Sequence, residues 1–293
     1  MVQKNQSTKN PKRLVKRTAK SSVFTHLFTI PKYMRELYIS LHPKDKEIKE
    51  SELKDWTISS ILTNIQVNDL GILVKDTLIL LVEAQSIWTL NILPRALQYL
   101  SESYNRYVQN TNQNIYGTKK VTLPRPELYV VYTGNDEIKK KTISLRKDFF
   151  KDDTYPIDIE IKVITIKNAT NILKDYIEFT KVLDKNNKKY GYTKNSITKT
   201  IDYCIKSNIM KEYLIKYGME VNNIMTSIYS QEYATKMYGK EQYAEGRQEG
   251  RQEGRQEGMI EAFVELVKDK IITVSDAANR IGMTQKDFLK LVK

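Results

Sequence analysis

"NDLGILVKDTLILLVEAQ", residues 68–85, is the stretch from which the rest of the chain can be read. Two apolar runs, residues 70–74 and 78–82, flank a short polar "KD" and read as a β-hairpin. Both runs are nearly continuous in apolar residues, which places them at the centre of a sheet covered on both faces. Acids bracket the hairpin: Asp69 opens the first strand and Glu83 closes the second, with Gln85 two positions on. Strand side chains alternate between faces, so Glu83 and Gln85 share one. Whether Asp69 joins them depends on the turn. A two-residue loop faces Asp69 away from Glu83, whereas a three-residue loop of Lys75, Asp76 and Thr77 sets it directly across. The longer loop needs a residue near the left-handed region, which Asp76 tolerates better than most.

Two carboxylates brought together at the end of an apolar sheet repel unless a cation neutralises them. Oxygen ligands without His or Cys nearby suit Mg²⁺ or Mn²⁺. Such a metal polarises a phosphodiester and activates water, with Gln85 placed to orient the water or a phosphate oxygen. The competing reading is that Asp69 and Glu83 are polar strand ends standing in solvent.

Composition narrows the class. The chain has 293 residues, 40% of them hydrophobic, enough to bury a substantial core. One cysteine, Cys204, and two histidines, His26 and His42, rule out an intramolecular disulfide and argue against a thiolate or imidazole zinc site. No apolar run reaches the roughly 18 residues of a membrane span. The Lys-rich start lacks the apolar stretch of a secretory signal. A cytoplasmic location and no membrane partner are therefore expected. The net charge is +13, and residues 1–20 hold seven Lys/Arg and no acid. That balance attracts polyanions, DNA first. The abundance of Lys, Asn, Ile and Tyr, with 19 tyrosines, also fits an AT-rich genome.

Residues 1–20 read as a disordered basic arm. From Ser21 to about His42 the pattern is helical, with Phe24, Leu27 and Phe28 on one face and Met34, Leu37, Tyr38 and Leu41 on another. "HPKDKEIKESELKDW" reads as a charged connector. A helix is expected from Leu90 to Val108, starting within a turn of Pro94 or kinking there. Strands follow at "ELYVVYTG" (127–134) and "IDIEIKVITI" (157–166), the latter alternating as a strand with one wet face near an edge. Strands interleaved with helices give an α/β domain over 21–185. After "DKNNKKYGYTKNS", a helical region (186–240), an Arg-Gln-Glu-Gly repeat segment (241–258) and a small helical tail (259–293) complete the chain.

The "ND", apolar strand, short turn, apolar strand and "ExQ" pattern resembles the PD-(D/E)xK nuclease core. More narrowly, "NDLGILVKDTLILLVEAQSIWTLNILPRALQYL", with "YMRELYISLHPKD" before it and "ELYVVYTG" after it, is similar to the Rpn-like recombination-promoting nucleases related to transposases. The resemblance covers roughly residues 24–180, and the repeat near the end more loosely. It implies a restriction-endonuclease-like mixed central sheet flanked by helices, followed by a helical C-terminal extension. By that resemblance Asp69 and Glu83 are the acidic ligands of Mg²⁺ or Mn²⁺. Gln85 occupies the position usually held by Lys, Glu36 matches a helix-borne acid, and Arg95 matches a basic residue that touches phosphate or forms a helix-face ion pair. The implied activity is metal-dependent cleavage of DNA. The alternative is a catalytically weak DNA-binding or oligomerising protein using the same fold as a scaffold, and a strand-joining recombinase cannot be separated from a nuclease by these residues. Lys supplies a point charge that Gln lacks, so the change throws more of the work onto the metal.

The repeat from Glu245 to Gly258 is a poor isolated helix. Its period of four stacks Glu on Glu and Arg on Arg at i, i+4, and each Gly costs about 1 kcal/mol against Ala. Homo-oligomer formation through the repeat and C-terminal helices, a helical spacer and a floppy linker all stand as readings. The last segment, "VSDAANRIGMTQKDFLKL", reads as two short helices with a turn near Gly282, either helix-turn-helix-like or a packing hairpin. Asp276 and Asp287 dilute its basic character.

Overall fold

The computed structural model describes residues 11–57 and 69–292. In chain order the elements are helices α1 (Pro11–Thr29) and α2 (Pro31–Leu41), strands β1 (Leu53–Asp55), β2 (Asp69–Val74) and β3 (Leu78–Gln85), and helix α3 (Ile92–Asn110). Strands β4 (Arg125–Tyr132), β5 (Thr142–Ser144) and β6 (Glu160–Ile164) follow. Helices α4 (Asn171–Tyr190), α5 (Lys194–Lys206), α6 (Lys211–Lys268), α7 (Val274–Ile281) and α8 (Gln285–Val292) complete the chain. Contacts divide it into two units, the first ending at Glu232 and the second running from Tyr233 to Lys293.

The first unit is built on one mixed sheet in the order β1-β2-β3-β4-β6-β5. The pairs β1–β2, β2–β3 and β5–β6 are antiparallel, whereas β3–β4 and β4–β6 are parallel. Period-two alternation splits the buried side chains into two cores. Leu70, Ile72, Val74, Val82, Ala84, Tyr129 and Val131 pack on one face with residues of α1, α2, α4, α5 and α6. Leu73, Leu128, Val130, Ile143, Ile161 and Val163 pack on the other with Ile92, Leu93, Ala96 and Leu100 of α3. The central hairpin is thus covered on both faces, as its continuous apolar runs require. The α3 helix starts two residues before Pro94, which therefore lies in the first turn, where its missing N–H costs nothing. Gly71 is needed because a Cβ there would stand 2.5 Å from the carbonyl oxygen of Trp56, whose N–H donates to the Gly71 carbonyl at 2.8 Å.

Four expectations are corrected. The arm is helical from Pro11 onward, with Ala19, Val23, Phe24, Leu27 and Phe28 fully buried; residues 1–10 lie outside the described residues. The polar composition of residues 11–18 hides the helix in the sequence. Second, the helical region does not wait until after "DKNNKKYGYTKNS", because α4 continues through "DKNNKK" to Tyr190. Its polar residues find partners: Asp184 accepts from Lys20 at 2.8 Å, and Asn187 donates to the Tyr229 hydroxyl at 2.9 Å and accepts from Ser196 at 2.7 Å. Third, the helices after residue 185 are not a separate region, since Ile197, Ile201, Cys204, Tyr213, Leu214, Val221 and Met225 belong to the same core as α1. The "charged connector" also hides β1, whose Leu53 is the one buried residue of the strand.

The second unit has its own small core of Val264, Ala277, Ala278 and Phe288. Asp276 and Asp287 are helix-start residues: their N–H groups donate to Thr273 Oγ1 and Thr284 Oγ1, the N-cap arrangement. The left-handed Gly282 closes α7.

The C-terminal end of α2 is fastened to the sheet by Glu127. Its carboxylate accepts from Lys162 (2.7 Å) and Tyr129 (2.5 Å) and lies 3.2 Å from His42 Nε2. Burial opposes the charge, but these hydrogen bonds, with the nearby His42 and Lys162 charges, outweigh it and hold the carboxyl down to about 2. A carboxyl depressed in the folded state stabilises the fold above its ordinary value near 4.5 and loses that contribution as pH falls toward 2. Urea midpoints measured between those limits should drop with acid, and Glu127→Gln should flatten that part of the profile. An unchanged slope in the variant would show that Glu127 does not couple folding to protons.

Candidate metal centre at the end of the hairpin

The geometry begins at the turn. Lys75, Asp76 and Thr77 connect β2 to β3, with Val74 paired to Leu78 and the Thr77 N–H donating to the Val74 carbonyl at 3.0 Å. Counting down the ladder, this three-residue loop puts Asp69 opposite Glu83. The turn uses two left-handed residues rather than the expected one, Lys75 (φ 49°) and Asp76 (φ 54°). Two positive φ values in succession give the mirror-image turn whose twist matches paired strands. Asp76 is further held by Lys54 on the neighbouring strand at 2.9 Å.

Directly opposed residues in such a ladder have Cα atoms about 4.5–5.5 Å apart. The side chains of Asp69 and Glu83 lie outside the described residues, so the structure places the two positions and not their carboxylates. Alternation assigns positions 69, 83 and 85 to the face covered by α3, because Leu73 of β2 and the register partners Leu128 and Val130 of β4 are all buried there.

Gln85 is described in full. It is 0% exposed, and neither its Oε1 nor its Nε2 has a hydrogen-bond partner among the described residues. Its backbone is well anchored: the carbonyl accepts from the Thr133 N–H at 2.8 Å, and the residue pairs with Tyr132. Tyr132 packs its ring edge-on to Trp88 at 5.7 Å and donates its hydroxyl to Asp136 at 2.9 Å. Burial, reinforced by the bond to Asp136, pushes that phenol up to about 12. A buried amide left unpaired costs about 1–3 kcal/mol, so Gln85 is a side chain that packing alone does not account for.

Arg95, half-buried, sits in the first turn of α3 beside the buried Leu93 and Ala96, on the helix that covers the 69/83/85 face. Glu36 is placed differently. The charges around it are Lys32, Glu212, Asp175 and Arg35, and burial pushes its carboxyl above the usual range. Its helix lies over the turn end of the hairpin, where Tyr38 donates to Asp45 and Asp45 lies 3.9 Å from Lys75. In the described contacts, the helical residue at the acidic end is instead Ser21 of α1, whose hydroxyl donates to the Ala84 carbonyl at 3.4 Å. Next to it, Lys20 is 2% exposed and paired with Asp184. That lysine, counted with the basic arm in the sequence, is therefore not available to phosphate.

The strands β3, β4 and β6 run parallel, so their carboxyl ends share one edge of the sheet. Along that edge, beyond the ends of β4 and β6, lies a cavity of about 320 Å³ lined among others by Tyr132, Gly134, Asp136, Lys167 and Lys181. Nothing in the sequence marks it, because its residues come from the end of β4, two loops and α4. Among the described residues no group of three His, Cys, Asp or Glu side chains is arranged to hold a metal, and no helix is long and apolar enough to cross a membrane.

Comparison with protein families, with curated proteins and with solved structures found no match to the chain.

Replacing Gln85 by Leu keeps its bulk and removes both amide atoms that lack a partner among the described residues. The expected outcome is a rise of about 1–3 kcal/mol in unfolding free energy from denaturant titration, against a fall for Gln85→Ala, which leaves a cavity. A Gln85→Leu protein less stable than the parent would show that the amide is held by a partner.

Proposed function

We propose that this chain is a metal-dependent DNA endonuclease of the recombination-promoting, transposase-related kind. The observation that carries the reading is the register: a three-residue turn sets Asp69 opposite Glu83 on the face that also holds the buried Gln85, whose amide has no partner among the described residues. The mixed sheet with helices on both faces fits the restriction-endonuclease-like fold that the sequence resemblance implies. The net charge of +13 supports a polyanionic substrate.

The donor set suits Mg²⁺ or Mn²⁺. Two carboxylates without His or Cys are what Mg²⁺ ordinarily takes from a protein, its other positions going to water and substrate phosphate. When bound, such a cation polarises the phosphodiester and makes water a better nucleophile. The protein's own part is positional. Asp69 and Glu83 each stand on a strand hydrogen-bonded along its length, so their separation is fixed by the ladder. Gln85 offers an N–H to a phosphate oxygen and a carbonyl to the attacking water, without the cationic charge of a Lys. Arg95 would add charge from the helix covering that face.

A second reading, a DNA-binding scaffold with little or no catalysis, is favoured by one observation. Gln85 is fully buried, which leaves it no direct access to substrate in solvent. Plasmid nicking with Mg²⁺ or Mn²⁺ separates the two. The endonuclease reading expects cleavage that EDTA abolishes and that falls about 10²-fold or more in Asp69→Asn and in Glu83→Gln. Binding that is equal with and without EDTA, with no cleavage, would establish the scaffold.

The register itself can be tested. Deleting Thr77 shortens the loop to two residues and slips β3 by one, which sends alternate side chains to the wrong face. Nicking should be lost, and the denaturant midpoint should fall because the apolar residues of β3 are misplaced as well. Full activity in the deletion protein would show that the Asp69–Glu83 pairing is not what cleavage requires.

A further inference from the structure

The chain leaves β3 for α3, which packs in one core, and leaves β6 for α4, which packs in the other. The strand between them, β4, runs parallel to both. Where neighbouring parallel strands send their chains to opposite faces, a crevice opens beyond the carboxyl ends, the usual ligand position in open α/β sheets. The cavity of about 320 Å³ lies there. Its walls draw on both cores: Ile138 packs against the α3 side, and Ile166 and Ile177 belong to the α4 side. Gly134 completes a wall because a Cβ there would collide with the Tyr132 hydroxyl and stand 2.5 Å from the Ser86 carbonyl oxygen. The loop after β4 is therefore folded tightly onto the Tyr132 ring and the end of β3.

The lining combines three chemistries. The isoleucines and the Tyr132 ring give apolar surface. Asp136 gives a fixed acceptor: it accepts the Tyr132 hydroxyl at 2.9 Å, and its own N–H donates back to that oxygen at 3.3 Å. Lys167 and Lys181 give positive charge. Lys167 pairs with Glu137, which joins the loops after β6 and β4, so these two charges offset each other. Lys181 is half-buried on α4, and among the described residues it forms no ion pair or hydrogen bond. An ammonium that loses hydration without gaining a carboxylate is unfavourable, and an anion in the cavity supplies the missing partner. A ligand matched to this lining has an anionic group for Lys181, N–H donors for Asp136 and an apolar body between them.

We propose that the cavity binds a nucleoside monophosphate unit, with Lys181 at the phosphate, Asp136 accepting from the N–H edge of the base and the isoleucines against the ring. Carboxylates accept in this way from the amino group of cytosine. The strand that lines the cavity also borders the candidate metal centre: Tyr132 is the register partner of Gln85, and neighbouring strands lie about 4.8 Å apart. The choice of nucleotide rests on the nuclease reading, under which the unit is an unpaired nucleotide of the DNA being cut. A base reaches such a pocket only out of its stack, so unpaired DNA is the favoured form.

The test is calorimetric titration of the full chain in EDTA with deoxycytidine monophosphate, deoxycytidine, inorganic phosphate, leucine, and a cytosine-rich oligonucleotide in single-stranded and duplex form. Saturable binding of the monophosphate is expected, with weaker binding of the nucleoside and of phosphate alone, and none of leucine. Lys181→Met should weaken binding about tenfold or more, and Lys181→Arg should restore it. Lys185→Met, one turn further along α4 and exposed, should leave it unchanged. A single strand that binds more tightly than both the monophosphate and the duplex assigns the unit to a DNA strand; one that binds no better assigns it to a free nucleotide. Because EDTA removes the metal, binding is scored apart from cleavage. Nucleotide binding without nicking removes the nuclease reading and leaves the cavity its ligand, and nicking without nucleotide binding does the reverse. No binding of the monophosphate, leucine or inorganic phosphate bound as tightly as the nucleotide, or equal affinities in Lys181→Met and Lys185→Met would each overturn the proposal.

Discussion

The hairpin turn at Lys75–Thr77 is the constraint on which the first unit depends. Its length sets the pairing of β2 with β3, and that pairing decides which residues face which core. With three residues in the loop, the even-numbered Leu70, Ile72, Val74, Val82 and Ala84 all fall on the face covered by α1. Leu73 and the positions of Asp69, Glu83 and Gln85 fall on the α3 face. A slip of one residue would invert both sets together. The same turn therefore governs stability and the candidate site, and neither can be altered there without the other. The cost is two non-glycine residues held at positive φ, which is unfavourable for L-residues and is offset by the ladder it permits and by the Lys54–Asp76 pair.

Much of this was legible because apolar periodicity is a strong signal in long, buried elements. The continuous runs at 70–74 and 78–82, the α3 helix and the two capped helices of the tail all stand where their patterns put them. The sequence could state the loop-length condition for Asp69 and Glu83 but could not choose between two residues and three, because both close a hairpin. What chooses is the fit of the whole ladder to two cores, a tertiary property.

The misreadings share one physical origin. A polar composition reads as solvent-facing, whereas Lys20 pairs with Asp184 and Asn187 with Ser196 inside the first unit. "DKNNKK" looks like a loop by composition, yet Leu183 and Asn187 are buried on one face of α4 while Lys185, Lys188 and Lys189 stay exposed or nearly so. Glu36 has the residue type and helix position of a site acid, and beside Lys32 and Arg35 of its own helix it meets Asp175 of α4 and Glu212 of α6, which no local pattern reveals. Ser21 could not have been singled out, since a serine donating to a strand carbonyl carries no sequence signature.

The long helix α6 poses a problem of energetics that its neighbours only partly solve. Its early turns are anchored, with Tyr213, Val221 and Met225 buried in the first core, and its late turns by Val264 in the second. Helix propagation between formed ends avoids the nucleation penalty, so a continuous helix through the repeat is reasonable even with Gly246, Gly250, Gly254 and Gly258 in it. Those four glycines still weaken it by roughly 4 kcal/mol relative to alanine, and like charges at i, i+4 weaken it further. Among the described residues no burial compensates, because the repeat is exposed throughout. The repeat therefore keeps its helical form by continuity with the anchored turns on either side of it.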